Sequence, residues 1–510
     1  MRLTYLPLFA GIAIQSACAF PNFSKSSILK PRRTNSLLIN PDAQPDLPTA
    51  KQASTAAASV GLNLTDIQGD ILIGMKKNKE MFFFFSIADA AAFKSHLGSA
   101  ILPLIASTQQ LLAVASQPTT AVNLAFSQTG LNALGLAAQG LGDSLFASGQ
   151  FSGAQSLGDP GTSNWVQAFA GTGIHGVFLL ASDTVDNVNA ELSQIQSILG
   201  TSITEAYRLQ GEARPGDQQG HEHFGFMDGI SNPAIDGFST ALPGQAVLSP
   251  GLFLLGEDGD GSSSSRPSWA KDGSFLAFRQ LQQRVPEFNK FLADNAALTQ
   301  GNADLLGARM MGRWKSGAPV DLAPTADDVD LANDPQRNNN FNFTHAGFTE
   351  TTDETHCPFS AHIRKTNPRS DFNPQNTNNH IIRAGIPYGP EVTDAEASSN
   401  TSSTDASLER GLAFVAYQSN IGNGFAFLQQ AWVDNANFFF GKTTPPGVDP
   451  IIGSVAAQNN FAPNGPRPVS GLDPTDSTKI VTINTDFVSS RGGEYFFSPS
   501  LSAIQNTLSV

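Results

Sequence analysis

Apolar residues in the N-terminal half of the chain follow two different spacings. Val185, Val188, Leu192, Ile195 and Leu199 recur every three or four residues until Gly200, which predicts an amphipathic helix. Apolar or alternating runs of strand length predict strands at residues 81–87, 121–126, 175–181 and 202–209, with residues 71–75 forming a hairpin with the first. A short helix is predicted at residues 91–97. The resulting order, β-α-β-β-α-β, is typical of a ferredoxin-like arrangement.

A similar pattern returns in the C-terminal half. Strands are predicted at residues 274–281 and 412–417, and helices at residues 284–295 and 422–433. We therefore predict an α+β fold of the dimeric α+β barrel type, in which two ferredoxin-like modules face each other with antiparallel sheets. The first module is placed at residues 61–240 and the second at residues 241–510. Residues 323–409 are polar, and so long a loop within a compact chain is usually functional.

The first 60 residues have a different composition. Arg2 precedes an apolar run at residues 3–14, and Ala17-Cys18-Ala19 follows, so residues 1–19 are predicted to be a secretory signal peptide. Residues 20–60 are rich in Ser, Pro, Thr, Asn and Ala and are predicted to be a disordered propeptide. We therefore expect a secreted, extracellular protein.

Charge and short motifs limit the possible partners. Asn63, Asn342 and Asn400 begin Asn-x-Ser/Thr sequons, which mark surface loops that can carry glycans in a secreted protein. A membrane span is not expected, because no later apolar run approaches about eighteen residues. Nucleic acid is not an expected partner either, because the net charge of -14 leaves no basic surface.

Candidate chemistry begins at Gly225-Phe226-Met227-Asp228-Gly229, which places one carboxylate among apolar residues and glycines. With Pro233 just beyond, the segment predicts a tight turn that faces a pocket. Asp-Gly alone is most typical of a structural turn. On this pattern Asp228 is either a turn anchor or an acid–base group.

A second stretch runs from Cys357 to Arg369 and contains His362, followed by the basic residues Arg364, Lys365 and Arg369. The histidines and cysteines of the chain lack the paired spacing of a zinc site, whereas haem iron needs only one protein ligand and imidazole is a common one. His362 is therefore a core histidine or an iron ligand. The basic residues are correspondingly solvated surface groups or partners of haem propionates.

A third stretch is His380-Ile381-Ile382-Arg383, which is followed by a Gly/Pro turn. Two large apolar residues precede Arg383, so its guanidinium is expected to point inward and to need an acceptor. Asp228 is a candidate for that acceptor.

Together these three stretches resemble the dye-decolorizing peroxidases. Residues 225–229 are similar to the family's Gly-x-x-Asp-Gly signature, residues 357–369 resemble the segment with its proximal haem histidine, and residues 383–389 resemble its distal-arginine segment. Residues 312–317 and 491–497 are also similar to family sequence. The export signal and the acidic composition match the fungal secreted branch.

The resemblance implies a haem b, one per chain, enclosed between or beside the modules. Asp228 and Gly229 would lie in the N-terminal module, and His362 and Arg383 in the C-terminal module. Asp449 is implied as the carboxylate that accepts a hydrogen bond from His362, although Asp449-Pro450 also fits an ordinary turn. Hydrogen peroxide would be the oxidant, and dyes, phenols and lignin fragments the substrates. Mn²⁺ as a further substrate stays open.

Peroxide chemistry fits these residue types. A peroxidase moves a proton between the peroxide oxygens while a cation stabilises the negative charge that develops. Asp228 can move the proton and Arg383 can stabilise the charge. Because a neighbouring arginine favours an ionised carboxylate, activity is expected at acidic pH, where a histidine base would be protonated.

Bulky dyes cannot enter a small haem channel, so the resemblance also implies electron transfer through a Trp or Tyr near the surface. Trp432 and Tyr388 are the candidates. Trp432 shares a helical stripe with Phe425 and Leu428, which favours packed core. Tyr388 follows Arg383 by five residues and is expected near the haem.

Two other interpretations remain open. In a haem-thiolate peroxygenase, Cys357 would be the axial ligand, and His362 would lose its role. A secreted haem-binding protein without turnover would keep the His362 ligand but would not need Asp228 and Arg383 as a pair.

Overall fold

The computed structural model describes residues 50–510 except 76–77, 114–116, 139, 348–352, 373 and 457–462. Its strands are β1 (Lys79–Ile87), β2 (Ala121–Phe126), β3 (Gly176–Ser182), β4 (Ile203–Glu212), β5 (Ala234–Ile235), β6 (Val247–Leu248), β7 (Ser274–Gln283), β8 (Ile382–Arg383), β9 (Ile386–Tyr388), β10 (Gly411–Gln418), β11 (Arg467–Val469), β12 (Val481–Ile483) and β13 (Val488–Ser498). Its α-helices are α1 (Ala50–Val60), α2 (Gly69–Leu72), α3 (Ala90–His96), α4 (Thr108–Leu112), α5 (Gln128–Ala133), α6 (Ser144–Gly153), α7 (Val185–Leu199), α8 (Val285–Asn295), α9 (Ala303–Met311), α10 (Val329–Ala332), α11 (His362–Thr366), α12 (Asp394–Ser399), α13 (Phe425–Phe427) and α14 (Leu501–Ala503). None of the helices in these ranges is long and apolar enough to cross a membrane.

The main sheet closes on itself as a barrel. Its strand order is β7-β13-β2-β3-β1-β4-β9-β10-β8, and β10 also pairs with β7. The N-terminal strands take the order β2-β3-β1-β4, and the C-terminal strands repeat it as β9-β10-β7-β13, all antiparallel. Both halves thus have the strand order of a ferredoxin-like module, which confirms the predicted fold.

Two narrow seams join the sheets of the modules. Phe126 of β2 pairs with Phe497 of β13, and Gly211 of β4 pairs with Tyr388 of β9. Each seam consists of one residue pair in register. The wall of the barrel therefore depends on strands from both ends of the chain.

Strand β1 shows why four phenylalanines follow one another at residues 82–85. Phe82 and Phe84 lie inside the barrel, with ring centroids 5.2 and 5.0 Å from that of Phe278. Phe85 points outward and packs at 5.7 Å against Phe93 of α3. A strand covered on both faces has no need of polar residues at alternate positions.

Helix α7 covers the outer face of the N-terminal sheet. Val188, Leu192, Ile195 and Leu199 are buried there, as their spacing predicted. The helix begins at the N-cap Thr184, whose hydroxyl accepts from the backbone N–H of Asn187, and it ends before Gly200.

Long connections in the C-terminal module lie on the outer side of its sheet. The chain between β7 and β8 contains α8 to α11, and the chain between β10 and β13 contains α13 and the small sheet β11–β12. A parallel pair, β5 and β6, lies in the segment that precedes β7. These connections carry most of the site residues.

Two predictions near the N-terminus are wrong. Residues 71–75 do not pair with β1, because β3 and β4 occupy both of its edges and Ile71 and Leu72 belong to α2. Helix α1 lies within the segment predicted to be disordered, and its Ala53 and Ala57 are 0% and 1% exposed in the cluster that fills the barrel. Alanines four residues apart favour a helix and allow close packing. Lys76, Lys77 and residues 1–49, which include the predicted signal peptide, lie outside the described residues.

Candidate active site

A cavity of about 520 Å³ lies against the outer face of the C-terminal sheet. Leu281 of β7 and Leu412 and Phe414 of β10 form part of its wall. The predicted site residues Asp228, Gly229, His362 and Arg383 all line it, although they are far apart in the sequence.

Backbone hydrogen bonds hold the turn that carries Asp228. The Glu222 carboxylate accepts from the N–H groups of Phe224 and Phe226 at 2.9 and 2.8 Å. Gly225 and Gly229 have φ angles of 93° and 77°, which residues with a side chain rarely adopt. The glycines on either side of Asp228 therefore let the turn aim its carboxylate into the cavity.

Asp228 forms an ion pair with Arg383. Its Oδ1 accepts from Arg383 Nη1 at 2.7 Å and from the Gly229 N–H at 2.6 Å. Burial alone would raise the pKa of Asp228, but the charge and the hydrogen bond of Arg383, together with the hydrogen bond from the Gly229 N–H, lower it. The side chains of Asp228 and Arg383 are 27% and 35% exposed, so the pair faces open space in the cavity.

His362 lines the same cavity and pairs with Asp449 behind it. His362 Nδ1 lies 2.7 Å from Asp449 Oδ2. Asp449 is fully buried, and its Oδ1 accepts from the N–H groups of Ile451 and Ile452. Burial would raise the pKa of Asp449, but His362 and these N–H groups lower it. An ionised Asp449 keeps the proton on Nδ1 and leaves the Nε2 lone pair of His362 free for a ligand.

Arg309 of α9 anchors the loop that leads to His362. It is fully buried, and its guanidinium donates to the backbone carbonyls of Glu354, Thr355, His356, Gly471 and Leu472. Gly312, with φ of 95°, ends the helix, and a Cβ there would lie 2.3 Å from the Ile363 side chain. Helix α9 therefore sets the position of α11.

Two of the three basic residues after His362 point away from the cavity. Arg364 donates to both carboxylate oxygens of Asp371 at 2.7 Å each and is 2% exposed. Lys365 Nζ donates to the carbonyls of Trp432, Asn435 and Phe438. Neither residue lines the cavity. The predicted contact of Arg364 and Lys365 with haem propionates is therefore wrong, because acceptors inside the fold already take their donors.

Arg369 and Arg313 instead bring two cations to the cavity wall. Both donate to Asn339 Oδ1, and their other partners are neutral oxygens. Among the described residues, neither forms an ion pair with a carboxylate. Burial, and then the charge of Arg369, lower the pKa of Arg313 to about 9, and burial lowers the pKa of Arg369 to about 10. Both stay charged at neutral pH and can take an anion. The only sequence signal for Arg313 was that residues 312–317 resembled family sequence.

The two predicted relay residues have different surroundings. Trp432 is 4% exposed and stacks on Phe438 at 5.2 Å, which confirms its packed position. Its cluster includes Leu428, which lines the cavity, and Phe438 packs at 5.6 Å against Phe440, which is 56% exposed. A continuous apolar path thus leads from the cavity wall past Trp432 to the surface.

Tyr388 does not line the cavity. It belongs to the cluster inside the barrel, and its hydroxyl donates to Glu409 at 2.8 Å. The expectation that Tyr388 lies near the haem is wrong, because its side chain points to the barrel interior while Arg383 faces the cavity.

Cys357 is also unsuited to bind a ligand in the cavity. It is fully buried, does not line the cavity, and burial raises the pKa of its thiol to about 12. The structure therefore favours His362 over Cys357 as the axial ligand. Elsewhere in the described ranges, no three His, Cys, Asp or Glu side chains are arranged to hold a metal ion such as Mn²⁺.

The three predicted glycosylation sites are accessible. Asn63, Asn342 and Asn400 are all exposed. This agrees with the expectation that the sequons mark surface positions.

Comparison with known families gives two matches that together cover most of the chain. Residues 66–215 match the DyP dimeric alpha+beta barrel domain, and residues 220–438 match the C-terminal domain of Dyp-type peroxidases. The second match includes the Asp228 turn, His362 and Arg383.

Curated relatives match along almost their whole length. Peroxidase 2 of Mycetinis scorodonius is 94% identical over 100% of both chains. A dye-decolorizing peroxidase of Mycena epipterygia is 58% identical over 93% of this chain and 92% of its own. The crystal structure of a fungal DyP-type peroxidase from Auricularia auricula-judae superposes with a TM-score of 0.83 at 55% identity, covering 88% of this chain and 99% of that one.

Proposed function

The chain belongs to the dye-decolorizing peroxidases and is a peroxidase that oxidises dyes, and from this premise we propose that Asp228, Arg383 and His362 carry its chemistry. The observation that carries the proposal is that the Asp228–Arg383 pair and His362, which is hydrogen-bonded to the buried Asp449, face one cavity. Family membership implies a haem cofactor, and we propose that this cavity holds one haem b per chain.

The residues of the cavity could supply both an iron ligand and partners for the haem propionates. His362 Nε2 would bind the iron, with Asp449 fixing the ring and increasing the basicity of the ligand. Arg313 and Arg369 would bind the propionates, which supply the anions that these guanidiniums lack. Gly229, with no side chain, would leave room for the ring beside Asp228. When bound, haem supplies the iron that accepts peroxide and holds its oxidising equivalents.

Asp228 and Arg383 divide the work on hydrogen peroxide. The Asp228 carboxylate takes a proton from one peroxide oxygen and returns it to the other, which leaves as water. The Arg383 guanidinium stabilises the negative charge on the departing oxygen. Their mutual hydrogen bond already joins the two groups before peroxide arrives.

The central test is the substitution Asp228→Asn, which keeps the size of the side chain and removes the base. We expect the reaction of the haem protein with peroxide, followed by stopped-flow absorbance, to slow by about 10²- to 10⁴-fold. Asp405→Asn on the exposed surface is the control and should react as wild type. An unchanged rate in the Asp228→Asn protein would show that another group is the base.

The two competing interpretations make different predictions. The family excludes a haem carrier without turnover as the function, because the chain is an enzyme. A thiolate ligand would give the reduced protein a strongly red-shifted carbon monoxide band, whereas a His362 ligand predicts the histidine type.

Bulky aromatic substrates, including dyes, phenols and lignin fragments, would be oxidised away from the haem. Trp432 is the better relay, because its cluster reaches both the cavity wall and the exposed Phe440. Tyr388 lacks the contact with the cavity. Mn²⁺ is the weakest substrate candidate, because the described residues offer it no ligand cluster.

The protein would act outside the cell and without a membrane. The signal-like residues 1–19 support export, and the exposed sequons at Asn63, Asn342 and Asn400 support glycosylation on that route. Sequencing the N-terminus of the secreted protein would test export and locate the end of the propeptide.

A further inference from the structure

We propose that Asn232 is a positioning residue that holds Arg383 at working distance from Asp228. Asn232 lies four residues after Asp228 on the same turn and is 7% exposed. The inference rests on the roles proposed above for Asp228 and Arg383. It adds a third residue to the peroxide-handling side of the cavity, one that acts through the backbone of Arg383.

One side-chain amide satisfies both backbone polar groups of Arg383. Asn232 Nδ2 donates to the Arg383 carbonyl at 3.0 Å, and the Arg383 N–H donates to Asn232 Oδ1 at 3.1 Å. This reciprocal pair has the pattern of two neighbouring strands. It fixes Arg383 in both position and orientation, which a single hydrogen bond would not do.

The strand that carries Arg383 needs such a partner. In the sheet, β8 is two residues long, and among the described strands it pairs only with β10, at Ala416 and Tyr417, so its other edge is open. An open strand edge leaves N–H and C=O groups unpaired. Asn232 covers that edge and joins it to the Asp228 turn.

Asn232 is itself held in place. Gln245 Nε2 donates to the Asn232 carbonyl at 3.1 Å, while Gln245 Oε1 accepts from the Leu242 N–H at 2.7 Å. Pro233 follows directly, and β5 begins at Ala234 and pairs with β6. The two hydrogen bonds between Asn232 and Arg383, which we call the clamp, therefore start from a segment that is itself held in place.

The ion pair alone is a weak means of positioning. Asp228 and Arg383 are both partly exposed to the cavity, and ion pairs of that kind contribute little to holding a geometry. Other titratable groups near Asp228 are Glu222 from the start of the turn and His362 from α11. Neither contacts Arg383, so neither replaces the clamp.

The test is Asn232→Ala in the haem-loaded protein, compared with wild type by stopped-flow mixing with peroxide. Misplacement of Arg383 by about 1 Å is expected to slow the peroxide step about a hundredfold. The acid limb of that rate should also move up by about one pH unit, because Asp228 loses part of the effect of Arg383. Oxidation of the reducing substrate, measured separately, should stay within about twofold.

A readout that needs no turnover is the affinity of the resting protein for hydrogen cyanide, which, like hydrogen peroxide, must give up a proton on the distal side. We expect it to fall in the Asn232→Ala protein while haem content is retained. Gln68→Ala is the matched control, since its amide makes the same reciprocal pair with the backbone of Leu124, at 2.9 Å from Nε2 and 2.8 Å to Oε1, and Gln68 lies outside the cavity wall. The control should match wild type in both measurements.

A second variant separates positioning from folding. Asn232→Asp keeps the size and one acceptor but loses the Nδ2 donor until the introduced carboxyl is protonated. We therefore expect its peroxide rate to approach wild type as the pH is lowered, which a general loss of stability would not produce.

Two results would overturn the inference. One is a peroxide rate and an acid limb in Asn232→Ala that match wild type while Asp228→Asn is slow, which leaves the proposed function intact. The other is an equal loss in both half-reactions with an unmoved acid limb, which would show a structural role alone. If Asp228→Asn itself reacts normally, the proposed function fails as well.

Discussion

Arg383 lowers the pKa of Asp228 through a 2.7 Å contact, so removing Arg383 should raise the pH at which Asp228 becomes protonated. In wild type the pKa of Asp228 lies below its ordinary value, and the carboxylate stays ionised well into the acidic range. In Arg383→Leu, burial acts without the compensating charge, so this pKa rises and the base is lost at a higher pH. The peroxide step should fall by about 10²- to 10³-fold, with its acid limb shifted upward.

The measurement is the pH dependence of the stopped-flow peroxide rate. Arg208→Leu is a suitable control, because Arg208 pairs with Glu205 on the surface and lies outside the cavity wall. An acid limb that stays in place in Arg383→Leu would contradict the assigned cause of the low pKa.

At the scale of single residues, the sequence predicted which residues are candidates for catalysis better than it predicted where side chains point. Asp228, His362 and Arg383 stand out because glycine or proline turns place polar groups beside apolar ones. Arg364, Lys365 and Arg369 look alike in the sequence, yet only Arg369 lines the cavity. Their directions depend on the short helix α11 and on the Asp371 carboxylate, which the sequence alone does not place.

The segment around α13 connects the cavity to the surface, which allows a test of the relay. We expect Trp432→Phe, which keeps an aromatic ring in the cluster, to reduce oxidation of a bulky dye roughly tenfold, or about 1.4 kcal/mol in the barrier. Oxidation of a small phenol that enters the cavity should change little. Steady-state rates with both substrates give the comparison.

Tyr388→Phe is the matched control for that experiment. Tyr388 is as buried as Trp432 but points into the barrel, so its loss should leave dye oxidation unchanged. Loss of dye oxidation in Tyr388→Phe, with none in Trp432→Phe, would reverse the assignment.

At the scale of elements, regular periodicity gave reliable predictions. Helix α7 and strands β2, β3 and β4 follow from apolar spacing, because each buries one face or both against a neighbour. Helix α1 and the absent hairpin at residues 71–75 did not follow. Both depend on tertiary packing, because β3 and β4 occupy the edges of β1 and α1 packs against the cluster inside the barrel.

At the scale of the whole molecule, we expect haem binding in the cavity to raise the stability of the folded chain. Haem that binds only the folded chain should stabilise it by about 4 kcal/mol when free haem exceeds its dissociation constant a thousandfold. Scanning calorimetry of the apoprotein and the haem protein should therefore show a higher Tm with haem. His362→Ala should gain less on adding haem, and equal Tm values for the apoprotein and the haem protein would argue against the site.

The two-module architecture was predictable because the same order of elements occurs twice. The dimeric α+β barrel type was predicted too, but the strands that close it were not, since each seam rests on one residue pair between distant strands, which leaves no periodic signal. The cavity was not predictable for a similar reason, because strands β7 and β10 and distant loops together form its wall.

The seam at Phe126 and Phe497 also constrains how the molecule is made. Strand β13 is the last of the described strands, and it completes both the barrel wall and, through Val488, part of the cavity wall. The growing polypeptide can fold its first module early, but it cannot close the barrel or complete the cavity wall until β13 has left the ribosome. We therefore expect haem to bind only after β13 has been synthesised.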